Sequence, residues 1–183
     1  VVEKAKILDG RGITPGDVLV GFASSGLHTN GYSLARRVLL DSGLYHLDSF
    51  LPDNGTTLAD ELLRVHRSYF HLLHPLILQG KLNGLAHITG GGIPGNLVRI
   101  LPYETSAVVN TSAWDVPPIF KLIQKAGEVS KEEMYQVFNM GVGMIAAVAK
   151  EKLDDVVRDL KGMEEKLWVI GEIAKGKKEV ILQ

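Results

Sequence analysis

The sequence predicts a single α+β domain in which a mixed β-sheet is covered by helices. Single apolar runs of strand length alternate with amphipathic helical segments, sometimes two or three helices in succession. The composition, 45% apolar and 22% charged residues, is ordinary for a globular protein. A chain of 183 residues is long enough to bury a sizeable core. We therefore expect one domain over residues 1–183, of which residues 1–16 form a glycine-rich lead-in or linker.

Charge and residue usage exclude several classes of function. A net charge of −1 argues against a nucleic-acid binder, which normally carries a basic excess. The chain has no cysteine, so disulfides, thiolate catalysis and zinc–sulfur sites are excluded. No run of 18 apolar residues and no targeting segment occurs, so we expect a cytoplasmic protein without a membrane span.

Each predicted element is bounded by turn residues or capping signals. The predicted strands are apolar and cover residues 17–23, 84–89, 105–110, 141–149, 168–173 and 179–182. The last two are expected to close the sheet as a pair around Lys175-Gly176-Lys177. The predicted helices cover residues 32–40, 57–65, 69–79, 96–101, 117–126, 130–138 and 150–161. Pro94 suits the start of the fourth helix, Ser130 and Glu133 form a capping box, and residues 45–55 are expected to be loop.

The segment G-F-A-S-S-G-L-H-T-N-G, at residues 21–31, follows the first strand and precedes the first helix. This arrangement directs unpaired backbone N–H groups and the positive end of a helix dipole at the turn, which favours an anion. Gly26 allows a ligand to approach the main chain, and His28 could carry a proton near neutral pH. Further donors are the side chains of Ser24, Ser25, Thr29 and Asn30. The alternative is an unoccupied turn that Asn30 caps.

Two further glycine clusters have different contexts. H-I-T-G-G-G at residues 87–92 follows a predicted strand and precedes a helix, like the first turn. Residues 90–95 also satisfy G-x-G-x-x-G, but the following strand ends at Asn110, where a dinucleotide site needs an acidic residue. The third cluster, F-N-M-G-V-G-M at residues 138–144, has the helix first and the strand second, which is the wrong order for a phosphate loop. Considered alone, it indicates a tight helix-to-strand connection.

The histidines fall into two groups. His28 and His87 both lie beside glycine turns at strand ends, where side chains of neighbouring strands often share a cleft. We therefore expect the first two glycine turns to meet across one edge of the sheet. His66, His71 and His74 have no accompanying carboxylate and are interpreted as helix-surface residues, so the sequence predicts no metal ligands.

The three glycine motifs together closely resemble those of the aminoimidazole ribonucleotide (AIR) synthetase family, the phosphoribosylformylglycinamidine cyclo-ligases. The matching stretches are G-D-V-L-V-G-F-A-S-S-G-L-H-T-N-G-Y-S-L from residue 16, A-H-I-T-G-G-G from residue 86 and F-N-M-G-V-G-M from residue 138. The resemblance covers essentially the whole chain but only the C-terminal half of that enzyme. Val65 and His71 depart from the family pattern, which usually has a proline and a lysine near these positions.

The resemblance implies an α+β fold like the family's C-terminal domain and a part in ATP-dependent closure of the imidazole ring in purine biosynthesis. It implies His87 as the catalytic residue, a proton carrier or phosphoryl contact, and binding of the phosphoribosyl substrate by Ser24, Ser25, Gly26, His28, Asn30, Thr89, Gly90 and Gly91. Asn139, Gly141 and Gly143 would shape the cleft wall. ATP and Mg²⁺ would be bound mainly by the N-terminal half, which would also form a homodimer.

Three alternatives remain beside this interpretation. The chain could be a non-catalytic module that binds a phosphorylated metabolite, or another member of the same ATP-dependent superfamily. A dinucleotide site at residues 90–95 would instead require NAD binding. Under the favoured interpretation, the chain alone is expected to bind substrate weakly and not to turn over.

Overall fold

The computed structural model describes residues 7–161 and 165–183. Its strands are β1 (Val18–Ala23), β2 (Phe50–Leu51), β3 (Thr56–Thr57), β4 (Gly84–His87), β5 (Thr105–Val109), β6 (Val142–Val148), β7 (Leu167–Lys175) and β8 (Glu179–Leu182). Six of them form one sheet in the order β4-β6-β1-β7-β5-β8, and β2 pairs with β3 in a separate ribbon. All pairs in the large sheet are antiparallel except β5 with β8, which is parallel. The predicted mixed sheet is therefore confirmed.

The helices are α1 (Tyr32–Arg36), α2 (Leu58–Leu62), α3 (Phe70–Leu78), α4 (Gly92–Leu97), α5 (Pro118–Ala126), α6 (Lys131–Val137) and α7 (Leu153–Leu160). A π-helical turn over Arg37–Asp41 continues α1. The predicted cap of α6 is confirmed, because the Glu133 backbone N–H donates to Ser130 Oγ at 3.1 Å. No helix in the described part of the chain is long and apolar enough to cross a membrane.

Helices cover the large sheet on both faces. On one face Leu19 and Ala147 join a core with residues from α1, α4, α5 and α6. On the other face Val20 and Ala146 pack with residues from α3 and α7. Neighbouring residues of a strand point to opposite faces, so a strand buried on both faces has no polar alternation. This explains why residues 17–23 and 141–149 are nearly continuous apolar runs.

The final two strands do not pair with each other, which corrects the prediction from sequence. β7 and β8 both pair with β5, which lies between them. The turn after β7 folds onto β5 instead, where the Lys178 N–H donates to the Thr105 carbonyl at 2.8 Å. A hairpin is the simplest connection for two strands separated by a short glycine turn. The sequence predicts β5 as a strand but carries no signal that β5 lies between the other two.

Three local predictions also differ from the structure. Residues 45–55 are not all loop, since Leu51 pairs with Thr56 in the β2–β3 ribbon. Asn30 does not cap α1; the N-cap residue is Gly31, at φ +79°. A Cβ atom there would lie 2.2 Å from Phe138 Cε1, so this position also requires close packing. The fourth helix begins at Gly92, before Pro94.

Part of the expected lead-in packs against the domain. Ile13 is 2% exposed and belongs to the core, and the Gly16 N–H donates to the Ile173 carbonyl at 2.8 Å. Residues 1–6 of that lead-in lie outside the described residues.

Candidate functional site

The three glycine clusters lie at one end of the large sheet. β6 is antiparallel to both of its neighbours, β1 and β4, so these two run in the same direction. The register pairs Ala23 with Val142 and His87 with Met144. The ends of β1 and β4 and the beginning of β6 are therefore adjacent. We name the following segments the first turn (residues 24–31), the second turn (residues 88–92) and the third turn (residues 139–141).

Asn139 ties the first turn to the third. Its Oδ1 accepts hydrogen bonds from Ser24 Oγ at 2.9 Å and from the Gly141 N–H at 2.8 Å. Its Nδ2 donates to the Gly26 carbonyl at 2.9 Å. Asn139 is 3% exposed, and Gly141 is also buried. These two residues therefore hold the first turn against the third. Their predicted role in the cleft wall stays a prediction.

His28 is a residue of the first turn whose side chain is buried. Its backbone is in the left-handed region at φ +59°, its side chain is 3% exposed, and the Ser25 N–H donates to its Nε2 at 3.1 Å. Burial, followed by the neighbouring His66, His87 and Arg67, lowers the pKa of His28 to about 4. The imidazole is therefore neutral at pH 7, which corrects the expectation of a group that titrates near neutrality. Its predicted contact with substrate stays a prediction.

The second turn is fixed by Asn96, a residue outside the glycine motifs. Asn96 Nδ2 donates to the carbonyls of Thr89 at 3.1 Å and Gly92 at 2.8 Å. Its Oδ1 accepts a hydrogen bond from Thr89 Oγ1 at 3.0 Å. The feature of the sequence that could have indicated this contact is the spacing of the two residues. Asn96 is seven residues after Thr89, which places its amide one turn inside the following helix, within reach of the turn. Asn30 reaches this turn from the first one: its Oδ1 is 3.5 Å from where a Cβ on Gly90 would lie.

His66 is placed differently from the prediction. It lies in the segment between α2 and α3, and its ring stacks on that of His28 with centroids 4.0 Å apart and an interplanar angle of 18°. Its Nε2 lies 3.0 Å from Nε2 of His87. The interpretation of His66 as a helix-surface residue is therefore wrong. His71 and His74 do lie on α3 and are exposed.

Tyr69 was also missed, although it supports the site. Its hydroxyl donates to the Ala23 carbonyl at 2.8 Å, at the end of β1. Burial raises the pKa of Tyr69, and Arg67 opposes this shift. A Cβ on Gly143 would lie 2.1 Å from Tyr69 Oη and 2.6 Å from His28 Cε1. Glycine at position 143 therefore leaves the space in which both rings pack against β6.

The first turn borders a cleft of about 480 Å³ that is lined by several cationic side chains. Its walls include Ser24, Ser25, Gly26, Arg64, Arg67 and Lys166, together with the acidic Asp53 and Glu61. Arg64 Nε lies 2.7 Å from Glu61 Oε2, and Arg67 pairs with Glu165. The cleft therefore offers guanidinium and ammonium groups beside the first turn, which is the chemistry that binds a phosphate.

His87 lies in a neighbouring groove. This groove, of about 300 Å³, is mainly apolar and includes His66, Tyr69, Phe70, Leu73 and Met144. Arg67 borders both the groove and the cleft. The structure thus brings His28 and His87 together, as predicted. Ser25, however, lines the cleft, whereas His87 lines the groove. Burial lowers the pKa of His87, with His66 as a further cause.

The two departures from the family pattern are exposed. Val65 is 85% exposed, and its carbonyl accepts a hydrogen bond from Ser25 Oγ at 2.7 Å. Because this contact uses the backbone, a valine supplies it without a special side chain. His71 lies on the exposed side of α3.

The strand order does not fit a dinucleotide-binding fold at residues 90–95. Such a fold needs β4 and the following strand to be parallel neighbours joined by the helix. Here β4 and β5 are separated by β6, β1 and β7.

Comparisons with known proteins agree with the motifs. The family described as "AIR synthase related protein, C-terminal domain" matches residues 14–183. The chain is 47% identical over 182 residues to the phosphoribosylformylglycinamidine cyclo-ligase of Carboxydothermus hydrogenoformans, covering 100% of this chain and 53% of that protein. The chain spans about half the length of the curated relatives it matches.

Two solved structures share the fold. Thiamine-monophosphate kinase from Stenotrophomonas maltophilia has a TM-score of 0.64 at 17% identity, covering 100% of this chain and 54% of that one. Thermotoga maritima PurL complexed with AMPPCP has a TM-score of 0.52 at 13% identity, covering 95% of this chain and 24% of that one. The match over residues 14–183 decides the assignment. The chain belongs to the AIR synthase related protein, C-terminal domain family.

Proposed function

We propose that this chain is the C-terminal part of a cytoplasmic, ATP-dependent cyclo-ligase that converts formylglycinamidine ribonucleotide to aminoimidazole ribonucleotide. The observation that carries the proposal is the cleft at the first turn, which Ser24, Ser25 and Gly26 line together with the cationic Arg64, Arg67 and Lys166. The names of relatives that are 45–48% identical supply the reaction. ATP and Mg²⁺ are held mainly by the half of those relatives that this chain does not match, and that half also forms the homodimer.

The cleft is proposed to hold the phosphate and ribose of the substrate. A phosphate in the cleft lies beside the first turn and accepts charge-assisted hydrogen bonds from guanidinium groups. Arg64 and Arg67 balance its charge, while their carboxylate partners Glu61 and Glu165 hold the guanidinium groups in place. Fixing the phosphate end orients the rest of the substrate towards the second turn, where Thr89, Gly90 and Gly91 border the reacting atoms.

His87 is the proposed proton carrier. In the reaction, ATP activates the formyl oxygen by phosphorylation, and an internal nitrogen then displaces phosphate and closes the ring. The attacking nitrogen must lose a proton, and a neutral imidazole accepts one. The lowered pKa of His87 keeps its ring neutral at pH 7, so the base form is the one present.

The phosphate assignment is tested by calorimetry with ribose 5-phosphate. We expect Ser25→Ala and Arg64→Gln each to weaken binding, the arginine variant by about tenfold, because charge-assisted hydrogen bonds contribute about 1.5–3 kcal/mol. Arg36→Gln is the matched control, since Arg36 is exposed on α1 outside the cleft. Equal affinity in all four proteins would remove the assignment.

Turnover separates the enzyme from a binding module. The chain alone is expected to bind ribose 5-phosphate without ring closure. Joined to the N-terminal half of a cyclo-ligase relative, it is expected to restore ATP-dependent ring closure, which His87→Ala abolishes. Binding without turnover in the joined protein would favour the module that senses a phosphorylated metabolite.

A further inference from the structure

Three histidines that are distant in sequence meet at the end of the sheet. One ring nitrogen from each of His28, His66 and His87 lies within 4.8 Å of the others. They come from the first turn, the segment before α3, and the end of β4. The proposed function uses His28 and His87 but gives His66 no role. The contacts that His66 makes with the other two rings indicate one.

The plane of the His66 ring is set by His28. The two rings stack with centroids 4.0 Å apart and an interplanar angle of 18°. His28 is itself fixed, because it is 3% exposed and its Nε2 accepts a hydrogen bond from the Ser25 N–H at 3.1 Å. A side chain locked by packing holds its polar atoms in a defined direction. The stack therefore keeps His66 in the orientation in which its Nε2 meets Nε2 of His87.

One hydrogen bond joins His66 to His87, and its direction decides what His87 can do. The two Nε2 atoms are 3.0 Å apart. In a neutral imidazole one ring nitrogen carries the proton and the other carries the lone pair. If His87 donates, its Nδ1 keeps the lone pair and can accept a proton. If His66 donates, this hydrogen bond uses the only lone pair of His87, and no base remains.

The other ring nitrogen of His66 allows His87 to donate. Nδ1 of His66 lies 3.4 Å from Thr29 Oγ1, an oxygen that can accept a hydrogen bond. When the proton of His66 is on Nδ1 and directed at Thr29, Nε2 of His66 carries the lone pair that His87 needs. In the described part of the chain His87 makes its hydrogen bond through Nε2, and it is exposed beside the groove. Its Nδ1 is therefore open to a ligand.

We propose that His66 is a positioning residue that holds the neutral His87 ring as its Nε2–H tautomer, so that Nδ1 is the atom that takes the proton. The inference rests on the proposed function in one respect, namely that His87 is the proton carrier. In the reaction step the N–H bond of the attacking nitrogen breaks and a new N–H bond forms at Nδ1 of His87. The resulting imidazolium keeps its Nε2–H on the lone pair of His66, which stabilises its charge. Because His87 is exposed, the proton is then released to water.

The hydrogen bond is tested by ¹⁵N NMR of the chain itself, which requires no turnover. Two nitrogens joined by an N–H···N hydrogen bond share a scalar coupling, and the nitrogen that carries the proton also shows a one-bond N–H coupling. At about pH 8 we expect coupling between the two Nε2 atoms, with the proton on His87. His66→Phe keeps a ring stacked on His28 but has no nitrogen, so we expect the Nε2–H signal of His87 to be lost through exchange with water. His74→Phe is the matched control, because His74 is exposed on α3.

Turnover of the chain joined to the N-terminal half of a relative tests the consequence of the hydrogen bond. We expect His66→Phe to lower kcat at least about tenfold, because general base catalysis contributes about 10²–10⁴-fold and requires a free lone pair on the base. KM is expected to change little, since His66 does not touch the substrate in this proposal. His66→Gln is expected to recover much of the loss, because its amide oxygen can accept from Nε2–H of His87. His74→Phe is expected to keep the wild-type kcat.

The outcomes separate this inference from the proposed function. Circular dichroism of each variant shows whether it is folded. A wild-type chain without the coupling, a proton on His66 instead of His87, or wild-type kcat in folded His66→Phe would overturn the positioning role. Absence of ring closure in the joined wild-type protein would instead contradict the proposed function, and the coupling would still decide the tautomer of His87.

Discussion

The first and second turns have the same sequence pattern but present their histidines differently. Both follow a strand and precede a helix, and both strands end at the same end of the sheet. His28 is buried within the first turn, whereas His87, the last residue of β4, is exposed just before the second turn. The difference follows from the sheet: β1 lies between β6 and β7, while β4 is an edge strand. A side chain that follows an interior strand is covered by neighbours, whereas the last residue of an edge strand keeps one side open.

The supports of the two turns differ in the same way. Asn139 joins the first turn to a segment 113 residues away in sequence, while Asn96 bonds within its own turn and helix. A long-range support couples the first turn to the rest of the sheet. A local support lets the second turn form with its own helix. Substitutions at the two turns test this difference, beginning with the largest expected effect.

Gly92→Ala is expected to break the second turn. The new Cβ would lie 1.8 Å from the Tyr135 carbonyl oxygen, and the backbone there has φ +58°. We expect the free energy of unfolding to fall by about 4 kcal/mol or more, since both backbone strain and a steric overlap must be relieved. Urea denaturation measures this change.

Gly95→Ala is the control for that experiment. Gly95 lies on α4 with nothing within 4 Å of its Cβ position. Alanine there is expected to raise the free energy of unfolding by about 0.5–1 kcal/mol through helix propensity. If Gly92→Ala were as stable as Gly95→Ala, the close approach at the second turn would be wrong.

Replacing the two supporting asparagines is expected to affect stability and ligand binding differently. Asn139→Ala leaves the buried Gly141 N–H and the Gly26 carbonyl without their partner, which lowers the free energy of unfolding by about 3 kcal/mol. Asn96→Ala leaves the Gly92 carbonyl and is expected to cost about 2 kcal/mol. Asn139→Ala should also weaken ribose 5-phosphate binding, and Asn96→Ala should not. Equal loss of binding in both variants would contradict the distinction.

The pH dependence of stability separates the two histidines. The pKa of His28 is lowered from 6.5 to about 4 in the folded protein, so below pH 6.5 the unfolded state binds the proton first. Stability therefore falls by about 3 kcal/mol as the pH drops from 6.5 to 4, and it changes little further below that through this group.

His28→Asn is expected to flatten this dependence. Asparagine tolerates the left-handed backbone and does not titrate. His74→Asn, at an exposed position, serves as the control and is expected to keep the wild-type slope. Denaturation curves at several pH values, in buffer with a chelator, measure both. A wild-type slope in His28→Asn would show that another group carries the dependence.

Local patterns predicted most elements because they depend on neighbours in sequence. The apolar run at β1, the Ser130 cap and Pro118 at the start of α5 each identify an element from a few adjacent residues. Motif context also selected the first and second turns. What local patterns could not identify is the contact made from a distant segment, as His66 and Tyr69 show.

The sequence by itself determined the α+β class, the positions of the glycine turns and the family. These follow from periodicity, turn chemistry and motifs, which are properties of short segments. The tertiary structure alone decided that β5 lies between β7 and β8, that Asn139 supports the first turn, and that three imidazoles meet. The physical reason is that strand order and side-chain packing depend on which buried surfaces fit together across the whole chain, and no short segment carries that information.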